Sequence, residues 1–439
     1  MKLADIIETF ISGDWGEESP SSDTPNAVYC VRGADIVPIT NHRFNDIPQR
    51  YVCQRTVDSK MLQAGDLIIE KSGGSPTQST GRIVYVSDDL IREKGNIVCS
   101  NFCTALRVKS EWNPLYVFYY WQNVYNHDAF FNFEGKTSGI KNLQLDNALS
   151  AIEIEYLPLE NQNKIVASLS AIDEKLKINR QINDNLEAMA KQLYDYWFIQ
   201  FDFPNEEGYP YKSSGGKMTW NEKLKREIPK GWNVVEFKDL IEANRGISYN
   251  SDTISGGGIP MINLASFNID GTYKHSGIKT YNGSYSEDKI LKPFDLVMCN
   301  TQQTAIDFSK DIIGKAFLVP FIFEGDVVSS HHVTTLTPKQ KELKAYIAYL
   351  SNTKHFHKYV TGCCSGTNIM GINYMGLSQY KMEVPPLSIL QQFESRIIQI
   401  EKRKGLIILE NENLIKQRDE LLPLLMNGQA SVNYHLSAY

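Results

Sequence analysis

From Ile165 to Trp197 one set of positions recurs at alternating steps of four and three: Ile165, Leu169, Ile172, Leu176, Asn179, Asn183, Leu186, Ala190, Leu193 and Trp197. A repeat of 3.5 residues keeps one seam facing a partner helix. Shifted by about 228 residues, the cadence returns as Phe393, Ile397, Ile400, Lys404, Ile407, Asn411, Leu414, Arg418, Leu421 and Leu425. Asn183 and Asn411 occupy matching positions; a polar seam residue costs stability and fixes register. Nothing breaks the first pattern between Glu160 and Phe198. At ~1.5 Å per residue it spans on the order of 55 Å, longer than a small domain is wide, which separates it from an ordinary amphipathic surface helix. Pro423 should kink or end the last turns of the second helix. A proline-leucine step precedes each, in "YLPLENQNKIVASL" from Tyr156 and "EVPPLSILQQFESR" from Glu383, so each proline ends a globular domain and launches a helix.

The stretches ahead of the helices also repeat in order. "LADIIETFISG" at Leu3 echoes "FKDLIEANRG" at Phe237, and "YCVRGADI" at Tyr29 lies opposite "PMINLASF" at Pro260. "GDLII" at Gly65 answers "FDLVM" at Phe294, "NIVCSNFCTALRV" at Asn96 matches "DVVSSHHVTTLTP" at Asp326, and "SGIKNL" at Ser138 parallels "SGTNIMGI" at Ser365. Within them "DLIIE", "RIVYV", "NIVCS", "DLVMC", "KAFLV" and "DVVSS" are short β-branched runs bounded by turn formers, which predicts strands. Each half therefore opens with a compact mixed α/β domain, and the chain as a whole is α+β. "LYVFYYWQNVY" (Leu115 to Tyr125) predicts a buried helix. "FDFPNEEGYPYKSSGGKM" (Phe201 to Met218), rich in Pro, Gly and Ser, reads as a connector.

Composition narrows the class. A chain of 439 residues, 42% hydrophobic, is long enough for two or three cores. Seven cysteines, with no secretory signal at "MKLADIIETF", fit a reducing cytoplasm. No apolar run approaches the roughly 20 residues of a membrane helix. The net charge of −6 argues against a chain that holds nucleic-acid phosphates by itself, because that affinity comes from Lys and Arg. The first 155 residues carry about six more acidic than basic side chains. Any nucleic-acid role must rest on local basic patches or on partners.

Motifs for chemistry fail on spacing. "FFNFEGKTSG" supplies Gly135, Lys136 and Thr137, but Phe130 stands where a phosphate-cradling loop needs its first glycine. "SGGGIP" at Ser255 lacks dinucleotide spacing and is a loop. The Asn-Pro-Pro-aromatic tetrapeptide with which amino-methyltransferases grip a flipped adenine is not found. "HFHKYVTGCC" has His355 and His357 two apart on a predicted helix, pointing to different faces, and the first half keeps only His127 there. No metal site, catalytic residue or cofactor is assigned to this chain.

Two unlike globular domains, each followed by a long helix with one signature, resemble the specificity subunit of Type I restriction–modification systems. The residues that carry the resemblance are "LPLENQNKIVASLSAIDEKLKINRQINDNLEAMAKQLYDYWFIQFDFP" (Leu157 to Pro204), "VPPLSILQQFESRI" from Val384 and "NENLIKQRDELLPLLMNGQ" ending at Gln429. "IPKGWNVVEFKDL" (Ile228 to Leu240) looks like that family's usual approach to its second recognition domain. The likeness covers essentially the whole chain. In one departure, Leu390 stands where the first copy has Gln162, so that glutamine cannot be essential in both halves.

The resemblance implies a target recognition domain over residues 1–155, a first conserved long helix over 156–200, a connector over 201–230, a second recognition domain over 231–382 and a second long helix over 383–430. The helices would pack as an antiparallel coiled coil with pseudo-twofold symmetry. Their seam would include Ile165, Leu169, Ile172, Leu176, Asn183 and Leu186 against Phe393, Ile397, Ile400, Ile407, Asn411 and Leu414. Each domain would read one half of a bipartite, asymmetric double-stranded DNA site, the helices acting as a ruler that sets half-sites near multiples of about 34 Å. Two methylation subunits, which bind S-adenosylmethionine and methylate adenine at N6, would dock on equivalent seats. Motor–nuclease restriction subunits would join for cleavage. Base reading favours Arg and Lys for guanine and Asn and Gln for adenine. The polar loops then nominate Lys71, Ser72, Gln78, Arg82, Lys136, Ser138 and Lys141 in the first domain, and Thr301, Gln302, Gln303, Ser365 and Asn368 in the second. The alternatives are a coiled-coil scaffold carrying two protein-binding domains without DNA, and an enzyme with its own nuclease or methyltransferase centre. Co-purification with a methyltransferase separates the first of these from the recognition subunit.

Overall fold

The computed structural model of the chain describes residues 1–73, 78–137, 140–254, 256–303, 311–366 and 369–430. It divides into two units, Met1–Ile178 with Asn413–Tyr439, and Asn179–Glu412. In the first, strands Ile7–Ser12, Cys103–Val108, Leu67–Glu70 and Ile83–Tyr85 form a four-stranded antiparallel sheet in that order. Side chains alternate across a pleated sheet with period two. Leu67, Ile69, Leu106 and Val108 thus enter a core with Tyr116, Trp121 and Phe130. Their neighbours Ile68, Val84 and Ala105 enter a second core on the other face with Ile97 and Cys99. Burial on both faces explains why "LIIE" is apolar without alternation. The aromatic run forms helix Pro114–Asn126, whose Asn113 cap accepts from the Leu115 N–H at 2.9 Å. A second sheet joins Asn26–Val31 to Gln49–Val52 antiparallel and to Ile97–Cys99 parallel.

The second unit repeats this topology. Ile241–Arg245, Val333–Pro338, Leu296–Cys299 and Ala316–Leu318 form the four-stranded sheet, with Leu296 and Met298 facing one core and Val297 and Cys299 the other. Ile259–Ile262 pairs antiparallel with Lys279–Tyr281 and parallel with Val328–Ser329. Even the close approaches recur. A Cβ on Gly13 would sit 1.9 Å from the Ser100 carbonyl oxygen, and one on Gly246 would sit 2.3 Å from that of Ser330, so both positions require glycine. The Pro-, Gly- and Ser-rich segment after Phe201 is folded against the second unit. Phe201 and Phe203 are buried with Trp232, and Asp202 accepts from the Ser213 backbone N–H at 2.7 Å and its hydroxyl at 2.6 Å.

The first long helix runs Leu159–Tyr194 and ends in a π-helical turn, Asp195–Ile199; the second runs Leu387–Met426. Each begins directly after its proline: the Gln162 N–H donates to the Pro158 carbonyl, and that of Leu390 to Pro386. The second continues one turn past Pro423, where the Asn427 N–H still reaches the Pro423 carbonyl at 3.0 Å. Inside the first unit Ile165, Val166 and Leu169 share a core with Leu422, Leu425 and Met426, and Arg418 meets Asp173 at 3.2 Å. Inside the second unit Asn179 donates to Asn411 at 2.8 Å and to Glu410 at 2.9 Å, and Lys404 meets Glu187 at 2.6 Å and Glu401 at 3.0 Å. In both, numbers fall on one helix as they rise on the other, which is antiparallel packing. Burial opposes the Lys404 charge, but Glu401 and Glu187 outweigh it and raise its pKa. Of the predicted seam only Leu421 faces outward; Leu422 is buried in its stead.

Gln162 and Leu390 show why the two copies differ. Gln162 is buried, its Oε1 accepting from the Asn113 N–H at 2.8 Å and its Nε2 donating to the Leu157 carbonyl at 2.8 Å. Leu390 lies in an apolar core with Phe198, Tyr346 and Phe393. Gln162→Leu should therefore cost about 1–3 kcal/mol by stranding a buried N–H, and Leu390→Gln a similar amount by burying an unpartnered amide. Urea denaturation checks both, and a neutral exchange in either direction would contradict these roles. Leu176 is 2% exposed. Leu176→Asp should cost about 3–5 kcal/mol through an unpaired buried charge and lower Tm by about 10 °C; thermal unfolding within about 2 °C of the parent would remove Leu176 from the seam.

Candidate nucleic-acid interface

Residues nominated from separate loops meet on one small sheet in each unit. In the first, Ser72–Gly73 pairs with Ile140–Leu143, which pairs with Glu134–Thr137. The register sets Lys141 opposite both Gly73 and Lys136, and Asn142 opposite Ser72. The Ser72 hydroxyl donates to Asn142 Oδ1 at 2.5 Å. Lys71 stands just ahead of this sheet, its N–H donating to the Phe102 carbonyl at 2.8 Å. An open hollow of about 360 Å³ lies beside it, lined by Phe10, Lys71, Thr104, Leu143 and Asp146 among others.

Carboxylates already hold two of the nominated cations. Arg82 directs Nε at 2.8 Å and Nη2 at 2.5 Å onto the buried Glu70, which raises the guanidinium pKa. Lys141 Nζ lies 3.1 Å from Glu134, donates to the Gln78 carbonyl at 3.2 Å and sits 4.8 Å from the Phe131 ring centroid. Glu134 in turn accepts from the Thr80 N–H at 2.7 Å. These pairs brace the sheet; among the described side chains beside it, Lys71 has no carboxylate partner. Lys136 lies on the sheet by its backbone, and Ser138 falls outside the described residues.

The second unit builds the corresponding sheet from Thr301–Gln303, Ile369–Ile372 and Cys364–Ser365. Gln302 pairs with Met370 and Ser365 with Gly371. Thr301 Oγ1 lies 2.6 Å from His332 Nδ1. Gln302 is half-buried, Ser365 is exposed, Gln303 takes part through its backbone, and Asn368 falls outside the described residues. Sequence reasoning passed over what surrounds this sheet. Arg245 and Lys279 flank the Ser330–His331–His332 turn, and adjacent histidines closing a strand were the available signal.

The histidine-cysteine segment forms helix Lys354–Gly362, where His357 Nδ1 donates to the Ile313 carbonyl at 3.0 Å. Among the described residues no cluster of three or more His, Cys, Asp or Glu is arranged to hold a metal, and no helix is long and apolar enough to cross a membrane.

The family model described as the Type I restriction modification DNA specificity domain matches residues 1–188 and 229–413, one stretch in each half of the repeat. The chain is similar to the Type I restriction enzyme MjaIX specificity subunit of Methanocaldococcus jannaschii, 26% identical over 297 residues, covering 65% of this chain and 62% of that protein. It is also similar to the HindI specificity subunit of Haemophilus influenzae, 20% identical over 432 residues, covering 84% of this chain and 87% of that one. In fold it is similar to the crystal structure of a Type I restriction–modification system S subunit from M. genitalium, with a TM-score of 0.54 at 13% identity over 97% of this chain and 95% of that one. Two family matches on two topologically repeated units, with paired helices, show that the chain belongs to the Type I restriction modification DNA specificity family.

Proposed function

We propose that this chain is the sequence-reading subunit of a Type I restriction–modification complex, with one head per half of a bipartite, asymmetric DNA site. The observation that carries this reading is the convergence, on one small sheet in each unit, of Lys71, Ser72, Lys136 and Lys141 in the first and Thr301, Gln302, Gln303 and Ser365 in the second. A base edge is read by a few donors and acceptors held at fixed spacing, and strand pairing supplies that spacing. Gln78, Ser138 and Asn368 belong to the same segments and are assigned the same role. Arg82 is assigned the task of orienting Glu70 beneath the first sheet.

The chain itself performs no bond-making step. Two methylation subunits, carrying S-adenosylmethionine, dock on the paired helices and modify adenine, and restriction subunits join them in the same cytoplasmic complex. This division accounts for an acidic chain of net charge −6: partners supply most of the phosphate contacts that set affinity, while the heads supply contacts that set sequence.

Methylome sequencing of a host with and without the chain identifies the motif that loses its modification. On duplexes carrying that motif, exchanging Gln302 and Gln303 for Ala should relax discrimination at one half-site by about 1–3 kcal/mol per base pair read and leave the other half unchanged. Equal weakening on all sequences would contradict base reading by this sheet.

A further inference from the structure

The second head carries positive charge that no carboxylate of the described residues neutralises. Ser330, His331 and His332 form a tight turn, with the Val333 N–H donating to the Ser330 carbonyl at 2.8 Å. The His331 N–H donates to the Ile247 carbonyl at 2.7 Å, and the His331 carbonyl accepts from Arg245 Nε at 2.8 Å. The two imidazoles lie 3.8 Å apart between centroids, and the Tyr249 ring is 5.4 Å from His331 and 6.5 Å from His332. Lys279 Nζ sits 5.8 Å from the Tyr249 centroid. Two fixed cations and two titratable rings thus share one patch beside Thr301.

Three features separate this patch from a solvated surface. Among the described residues no carboxylate pairs with Arg245 or Lys279, although most cations named above have one. His331 Nδ1 is buried without a hydrogen-bond partner, and His332 Nδ1 is taken by Thr301, which leaves Nε2 for another acceptor. Both histidines are also held below their usual pKa, first by burial and then by neighbouring cations, Arg245 for His331 and His331, Arg245 and Lys279 for His332. Like charges gathered without a counterion cost energy that a bound anion would recover.

The first head has a different surface at the equivalent turn. Ser100–Asn101–Phe102 replaces the histidine turn, and Ser12 stands at the strand position of Arg245. Arg50 lies 4.0 Å from the Trp15 ring centroid, but Glu18 pairs with it at 3.0 Å. Phe102 is 60% exposed. The cationic patch is therefore a property of the second head, not of the shared fold.

We infer that the Ser330–His332 turn, with Arg245, Tyr249 and Lys279, is a phosphate seat that grips the DNA backbone beside the bases read by Gln302. The inference rests on the recognition role assigned above and adds to it a contact that is independent of sequence. A phosphate oxygen at this seat would accept charge-assisted hydrogen bonds from the remaining guanidinium nitrogens of Arg245 and from Lys279 Nζ. It would also make protonation of the imidazoles easier.

The test uses the full chain assembled with its methylation subunits and a mixed-sequence duplex of about 40 base pairs, because phosphate contacts ignore sequence. Binding is followed by fluorescence anisotropy across a salt series. The Arg245→Ala/Lys279→Ala double variant should bind more weakly on every sequence and reduce the slope of log K against log salt by about two. Lys279→Ala alone, at an exposed position that supports no backbone group, should reduce it by about one and guards against a folding effect of losing Arg245. Unchanged slopes in both variants, with Gln302→Ala still relaxing one half-site, would overturn the seat and leave base reading intact. Failure of the unaltered assembly to bind any duplex would overturn both.

Discussion

Each head closes its core with the far end of the helix that follows the other head. Leu422, Leu425 and Met426, the last turns of the second helix, complete the core that holds Tyr116, Trp121 and Phe130. Ala190, Tyr194, Trp197 and Phe198, from the end of the first helix, complete the core that holds Tyr346 and Phe393. Neither globular portion is therefore a self-sufficient domain on a stalk. The interior is shared out between distant parts of the chain, and antiparallel pairing of the helices is the condition for both cores. Polar groups in the seam bear on the register of that pairing. Asn179 and Asn411 bond to each other, while their repeat equivalents are Ile407 and Asn183, so the same amide pair cannot form twice. Asn183 Oδ1 is left buried and without a partner. An asymmetric polar contact in a nearly symmetric seam costs stability and selects one register.

The helices and the repeat were legible because a 3.5-residue cadence held over ten positions twice leaves little room for another reading. The strands were legible as well, through short β-branched runs bounded by turn residues, but not the burial of their sheets on both faces. What stayed hidden depends on pairing between distant residues. Nothing local announces that Ser72 lies against Asn142, or that Glu70 and Glu134 occupy Arg82 and Lys141. At the connector, composition gives the turns but not the burial of Phe201 and Phe203 against Trp232, which again depends on residues distant in sequence. Leu421 yields its buried place to Leu422 in the turn that contains Pro423.

The two heads share topology, including the glycines that let one backbone pass under another, yet differ in chemistry where they meet solvent. The first pairs Arg50, Arg82 and Lys141 with its own carboxylates and exposes Phe102. The second leaves Arg245 and Lys279 without carboxylate partners among the described residues. One scaffold written twice thus presents two chemically unlike surfaces. Net charge, read over the whole chain, averages this difference away.

The claim that two heads on one helix pair read two separated half-sites is tested most directly by selecting bound sequences from a randomised duplex pool. The chain would be used in assembly with its partner subunits. The account predicts two short, unlike blocks of preferred bases separated by a gap of fixed length and no preference. One continuous block, or two blocks whose separation varies among the selected sequences, would contradict it.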